Sequence, residues 1–108
     1  MHTMKFIETS IFTRTVVELL DDEQYRSLQL ALLLRPELGK LIRGSGGLRK
    51  LRWRVEGVGK RGGIRVIYFW DESSETFYML YAYRKNAQED LTAEQLQHLA
   101  RLVREEFG

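Results

Sequence analysis

Three cations recur at every second position of one short segment: Lys50, Arg52 and Arg54. In an extended chain alternate residues share a face, so the three would stand in one row. Like charges placed this way repel, and the row is costly unless water or an anion sits among them. Arg65 lies at the head of a later apolar run, and Tyr83, Arg84 and Lys85 close another. Arginine presents a planar fork that matches two phosphate oxygens at once. Cations interleaved with aromatic rings also suit a single nucleic-acid strand, with guanidinium groups on phosphates and rings under bases. A solvated basic face that keeps the protein soluble is the plainer use of the same residues.

The charge distribution favours the polyanion. The 108 residues carry a net charge of only +2, but it is unevenly spread. Residues 40–65 hold nine basic side chains (Lys40, Arg43, Arg49, Lys50, Arg52, Arg54, Lys60, Arg61 and Arg65) against the single acid Glu56. The segments before and after it are net acidic, by −2 and −4. A block this one-sided usually meets polyanions, nucleic acid among them. Within it, Lys60 and Arg61 sit in a glycine-rich stretch, GVGKRGG, whose backbone can approach a phosphate closely.

Other chemistries find little support. Residues 57–62, GVGKRG, satisfy the letters G-x-G-x-x-G, but a dinucleotide fingerprint needs a helix after it and here a strand pattern follows. The two histidines, His2 and His98, lie far apart, and no His/carboxylate cluster has metal-ligand spacing, so no metal or other cofactor is expected. A Ser-His-Asp triad needs a positioned histidine, and a surface helix is the simpler place for His98. With no cysteines, disulfides and thiolate sites are excluded. No apolar run reaches the ~18 residues of a membrane span, and the N-terminal residues lack a signal-peptide core. The expected location is the cytoplasm, with no membrane partner. Met4 is a second candidate for the natural start.

The elements that must carry these residues are legible as patterns. KFIE (5–8) is a short strand. Ile11, Phe12, Val16, Leu19 and Leu20 have helical spacing. Asp22 is suited to cap a second helix, whose face is Tyr25, Leu28, Leu32 and Leu33 and which Pro36 ends. LGKLIRGSGG follows as a loop. Residues 48–55 alternate, with Leu51, Trp53 and Val55 opposite the cations. IRVIYFW (64–70) and FYMLYAY (77–83) are apolar on both parities, as strands buried on both faces are. Thr92 to Glu106 is a closing helix with a Thr92/Gln95 capping box and a stripe of Leu96, Leu99, Leu102, Val103 and Phe107. The expectation is one α+β domain over 1–108, order β-α-α-β-β-β-α, with an antiparallel-rich sheet. Its helices would pack on one face and leave Lys50, Arg52 and Arg54 on an open basic surface.

The stretch GGLRKLRW-x9-GIRVIYFW, with YMLYAYRKN and EDLTAEQ after it, resembles the RelE-like toxins of bacterial toxin–antitoxin modules, most of all their HigB branch. The resemblance runs from Lys5 to Leu102. It implies a small toxin that enters the ribosomal A site and cleaves mRNA there, neutralised by a cognate antitoxin that contains a helix-turn-helix. It assigns the family's basic strand positions to Lys50 and Arg52, its phosphate-binding arginine to Arg65 and its basic position after the last strand to Lys85. Two departures stand out. Residues 87–108 lack the C-terminal tyrosine of RelE, for which Tyr83 is the substitute, and no histidine of the kind some HigB proteins use lies near these motifs. The implied reaction is metal-free: a 2′-hydroxyl attacks the adjacent phosphate and expels the 5′-oxygen. Lys85 or Tyr83 would take the 2′ proton, Arg52 and Arg65 would hold the phosphate oxygens, and Lys50 would protonate the leaving oxygen. Tyr83 could instead stack on a base. Arg49, Arg54, Lys60, Arg61 and Arg84 would grip RNA or ribosome. A ParE-like gyrase inhibitor and a noncatalytic RNA-binding module are the competing readings.

Overall fold

The computed structural model of the protein describes residues 3–55, 63–88 and 90–107. In chain order these form β1 (Lys5–Glu8), α1 (Ser10–Leu19), α2 (Asp22–Leu34), β2 (Lys40–Leu41), β3 (Leu48–Trp53), β4 (Ile64–Asp71), β5 (Thr76–Arg84) and α3 (Ala93–Phe107). The mixed α+β architecture matches the expectation, with one added element: the two-residue β2 lies within the segment expected to be a loop. The sheet order is β1-β5-β4-β3-β2. β1 pairs β5 in parallel, and the other three pairings are antiparallel.

Local chemistry fixes the ends of the helices. Thr9 caps α1, its hydroxyl accepting from the Phe12 N–H at 3.1 Å. The cap of α2 is Asp21 rather than the expected Asp22, with a full capping box. Asp21 accepts from the Gln24 N–H at 2.7 Å, and the Gln24 side chain accepts from the Asp21 N–H at 2.9 Å. This frees Asp22 and Glu23 for the first turn, where carboxylates suit the positive end of the helix dipole. Thr92 and Gln95 exchange the same pair of bonds ahead of α3, each at 3.0 Å. Between β2 and β3, Gly47 has φ +112°, a conformation that side chains avoid, and a Cβ there would meet the Phe69 ring at 3.0 Å.

Packing corrects one expectation. The helices do not share a face of the sheet. α1 and α2 bury Phe12, Val16, Leu20, Leu28 and Leu32 against Leu51, Ile64, Val66, Tyr68, Phe77 and Met79. α3 buries Leu99, Ala100 and Val103 against Leu48, Ile67, Leu80 and Tyr83, which are the opposite-facing residues of the same strands. The reason lies in β4 and β5: a strand apolar on both parities cannot leave either side to water. In the first core the Tyr68 hydroxyl ties the chain after α2 in place, accepting from the Gly39 N–H at 2.9 Å and donating to the Pro36 carbonyl at 2.8 Å.

β5 is not regular. Ile67 pairs with Tyr81 and Tyr68 with Met79, which leaves Leu80 as an extra residue in a bulge. Its carbonyl is not wasted: the Thr9 hydroxyl donates to it at 2.9 Å.

Candidate active site

The candidate chemistry gathers on the α3 side of the sheet. In the register, Arg52 of β3 stands opposite Arg65 of β4, and Arg65 stands opposite Tyr83 of β5. The next rung along is Lys50, Ile67 and Tyr81. Directly opposed residues of antiparallel strands project to the same side. Arg52, Arg65 and Tyr83 therefore form one row across three strands, with Lys50 and Tyr81 beside it. Four of the five expected catalytic residues, Lys50, Arg52, Arg65 and Tyr83, come together here. Their sequence separation reaches 33 positions.

The environments differ sharply along the row. Arg52 is exposed, whereas Arg65 is only 7% exposed. Among the described residues, the one hydrogen bond of the Arg65 guanidinium is a 3.3 Å donation to the Ile64 carbonyl. Among the described residues no carboxylate is bonded to it, and Arg52 stands across the strand from it. Most of its donors are therefore free to meet an anion. Tyr83 is 5% exposed and packs into the second core beside Tyr81, ring centroids 5.6 Å apart. That burial denies it the base-stacking role expected from sequence, because no ring face is open to a base. Its hydroxyl is buried without a hydrogen-bond partner. Burial pushes this phenol up, and the Asp90 charge adds to the effect while Arg65 opposes it. Tyr83 is thus a neutral hydroxyl at neutral pH, suited to donating a hydrogen bond rather than to transferring a proton.

One member of the cluster was not legible in the sequence. The Lys50 ammonium is ion-paired to the carboxylate of Asp90, in the segment leading into α3. The hydrogen bond and charge of Lys50 hold the Asp90 carboxyl below its ordinary range, with Arg52 and Arg65 acting the same way from further off. The Asp90 backbone is itself fixed. The Gln88 amide donates to the Asp90 carbonyl at 2.8 Å and to the Gln95 side-chain oxygen at 2.9 Å, so it is linked to the cap of α3. Lys50 and Asp90 lie 40 positions apart in a region of no periodic signal, so only the folded chain brings them together.

The remaining expected site residues scatter. Lys85 follows β5, exposed, its backbone N–H donating to the Gly63 carbonyl at 3.1 Å. Arg84 is exposed on the strand side opposite Tyr83. Arg54 lies beyond the end of β3 and lines a cleft with Asp21, Glu23 and Gln24 of the α2 start. Arg49 faces the α1/α2 side and is engaged there, donating to the Gly39 carbonyl at 2.8 Å and pairing with Glu37 at 2.9 Å. Those bonds give it a structural task in the chain after α2. Lys60 and Arg61 lie outside the described residues. His98 sits on the exposed side of α3, away from the cations. Among the described residues no group of three His, Cys, Asp or Glu could hold a metal ion, and no helix is long and apolar enough to cross a membrane.

Comparison with known proteins gives the same fold. Residues 37–107 match the family model described as the RelE toxin of the RelE/RelB toxin–antitoxin system. The chain is similar to the free-state structure of a double arginine mutant of the E. coli toxin RelE, with TM-score 0.63 and 13% identity over 94% of this chain and 97% of that one. It is also similar to a chain of the intact E. coli RelBE toxin–antitoxin complex, with TM-score 0.57 and 15% identity over 76% of this chain and 96% of that one. The matched segment contains every cation of the cluster described above.

Proposed function

Since the chain belongs to the RelE family of toxins from toxin–antitoxin systems, we propose that it is a ribosome-dependent endoribonuclease that cuts mRNA in the A site. The observation that carries this reading is the row Arg52–Arg65–Tyr83 with Lys50 beside it: donors gathered on one side of three adjacent strands. The nucleophile is the RNA's own 2′-hydroxyl. Its oxygen bonds to phosphorus, the P–O5′ bond breaks, and a 2′,3′-cyclic phosphate and a 5′-hydroxyl result. Arg65 and Arg52 hold the charge that grows on the non-bridging oxygens, where preorganised donors act most strongly. Lys50 gives a proton to the leaving 5′-oxygen. Tyr83, kept protonated by burial, donates a hydrogen bond to the phosphate. This leaves Lys85 to accept the 2′ proton. Such a site stabilises charge well and positions RNA poorly, so the ribosome supplies the in-line geometry.

We place the protein in the HigB branch, on the GLRK…GKRGGIRVIYF…YRKN pattern, and in the cytoplasm. Its partner is an antitoxin with a helix-turn-helix, whose contact region combines acidic and apolar residues to mask the cations. The test is cleavage of an mRNA on a translating ribosome with a vacant A site, with the cut ends mapped. The expected result is a downstream 5′-hydroxyl, no cut where the scissile nucleotide is 2′-deoxy, and little cutting of the same RNA free in solution. A downstream 5′-phosphate, or cleavage across the 2′-deoxy linkage, would make water the nucleophile and remove the mechanism. Gyrase inhibition with intact mRNA would assign the fold to the other toxin class.

A further inference from the structure

We propose that Asp90 is an internal stand-in for the RNA phosphate: in the free protein its carboxylate occupies the anion position before Lys50, and substrate must displace it. This rests on the reading of the cation cluster as the phosphate site and adds how that site is filled before RNA arrives.

Three observations converge. The first is the ion pair itself, which takes Lys50 out of an otherwise uncompensated group of cations. The second is the charge around it. Within the described residues Arg52 and Arg65 have no ion-pair partner, so the carboxylate paired to Lys50 sits one rung from two uncompensated cations. A carboxylate and a phosphate ester offer these groups the same thing: two oxygens sharing one negative charge. The third is that the placement is built. Gln88 holds the Asp90 carbonyl and bridges to Gln95, which in turn accepts from the Thr92 N–H at 3.0 Å. The carboxylate thus projects from a backbone anchored to the start of α3. Its side chain remains largely exposed while that of Lys50 is 20% exposed, so rotation of two side chains is enough to clear the site. The helix need not move.

The consequence is competition. An internal anion lowers the affinity of the free protein for RNA, and a ribosome-held phosphate, presented at high effective concentration, overcomes it. The full-length protein, as wild type and as Asp90→Asn, is titrated into a fluorescein-labelled single-stranded RNA made uncleavable by 2′-deoxy substitution, and anisotropy is read at ~0.15 M salt, where the Debye length is about 8 Å. Asp90→Asn should bind about two- to fivefold tighter, the range expected for releasing an exposed ion pair. Glu94→Gln removes the same charge from the exposed face of α3 and should leave affinity within about 1.5-fold of wild type, on the same reasoning that distant exposed charges are screened. In a Lys50→Ala background, Asp90→Asn should give no gain.

Equal gains from Asp90→Asn and Glu94→Gln, or an undiminished gain without Lys50, would reduce the effect to net charge and overturn the proposal. Weaker binding by Asp90→Asn would also overturn it, making Asp90 a residue that positions Lys50 for RNA. Ribosome cleavage separates the two levels. If wild type cuts mRNA and Asp90→Asn binds no tighter, only the stand-in fails. If wild type neither binds RNA nor cuts it, the phosphate site and the stand-in both fall.

Discussion

Replacing Arg65 by methionine should separate activity from stability in opposite directions. The guanidinium is 7% exposed, has no bonded carboxylate among the described residues, and faces Arg52 across the strand pair. Desolvating an ion without a partner costs roughly several kcal/mol after relaxation, and a like charge directly opposite adds roughly 0.2–1 kcal/mol. Against this stands one long hydrogen bond, worth about 0.5–1.5 kcal/mol. A methionine of similar length fills the space without the charge. The net expectation is that Arg65→Met is about 1–3 kcal/mol more stable than wild type, in line with buried ions replaced by apolar groups. For a domain of this size each kcal/mol raises Tm by about 4–8 °C. Cleavage on the ribosome should fall by about 10²–10³-fold, the cost of losing one preorganised donor to a transition-state oxyanion.

Two assays decide it: urea unfolding of both proteins, and single-turnover cleavage of ribosome-bound mRNA. Salt supplies a third check. Raising the ionic strength toward ~0.15 M, where the Debye length is about 8 Å, should stabilise wild type more than Arg65→Met, because only wild type has the opposed pair to screen. An Arg65→Met protein that is less stable by more than about 1 kcal/mol would show that the arginine has a structural partner. One that cuts at near wild-type rate would remove Arg65 from the phosphate site.

Arg65→Lys should also be impaired in cleavage, since a point charge replaces a two-pronged donor; growth arrest on induction reads this directly. Tyr83→Phe should leave urea stability within about 0.5 kcal/mol of wild type or raise it, because the deleted hydroxyl is buried and unpaired, while ribosome cleavage slows; unchanged cleavage would exclude the hydroxyl from the chemistry. Tyr68→Phe should do the reverse, costing about 1–3 kcal/mol in unfolding by orphaning the buried Gly39 N–H while cleavage per folded molecule stays constant. The pH dependence follows from Asp90, whose carboxyl is lower in the folded than in the unfolded chain. Its contribution to stability is present above the unfolded-state value and lost as pH falls through the folded one, so Asp90→Asn should flatten the acid side of the stability profile.

The elements with regular period were readable before folding. β1, α1 and α3 stand where hydrophobic spacing and capping residues put them, and the Thr92/Gln95 box formed as written. The alternation of residues 48–53 correctly set Lys50 and Arg52 against Leu51. What failed to show was tertiary. Apolar residues on both parities of β4 and β5 report burial on both faces, but not which helix covers which face. α3 therefore appeared to belong with α1 and α2. β2 spans only two residues, too few for a period. Charge alone made Arg49 look like an RNA contact, whereas its partners, Glu37 and the Gly39 carbonyl, come from a segment that folding brings back alongside. Tyr83 had the right type and parity for the site, but its burial depends on α3, which no local pattern specifies.

Leu80 acts on β5 as a change of phase. On the Thr76 side of it, odd-numbered Phe77 and Met79 point to the helical hairpin; beyond it, odd-numbered Tyr81 and Tyr83 point the other way, and even-numbered Ala82 takes their place. The two halves of one strand thus keep separate alternation patterns and can be changed independently. Deleting Leu80 would restore a regular ladder with every other pairing kept, because Tyr81 would then follow Met79 directly and already faces the opposite side. Tyr83 would still stand opposite Arg65, and the loss would be the Leu80 side chain in the second core and the carbonyl that the Thr9 hydroxyl meets. The bulge is thus separable from the row: it serves the packing of α3 and the start of α1, while the register of β4 and β5 keeps the hydroxyl of Tyr83 beside Arg65.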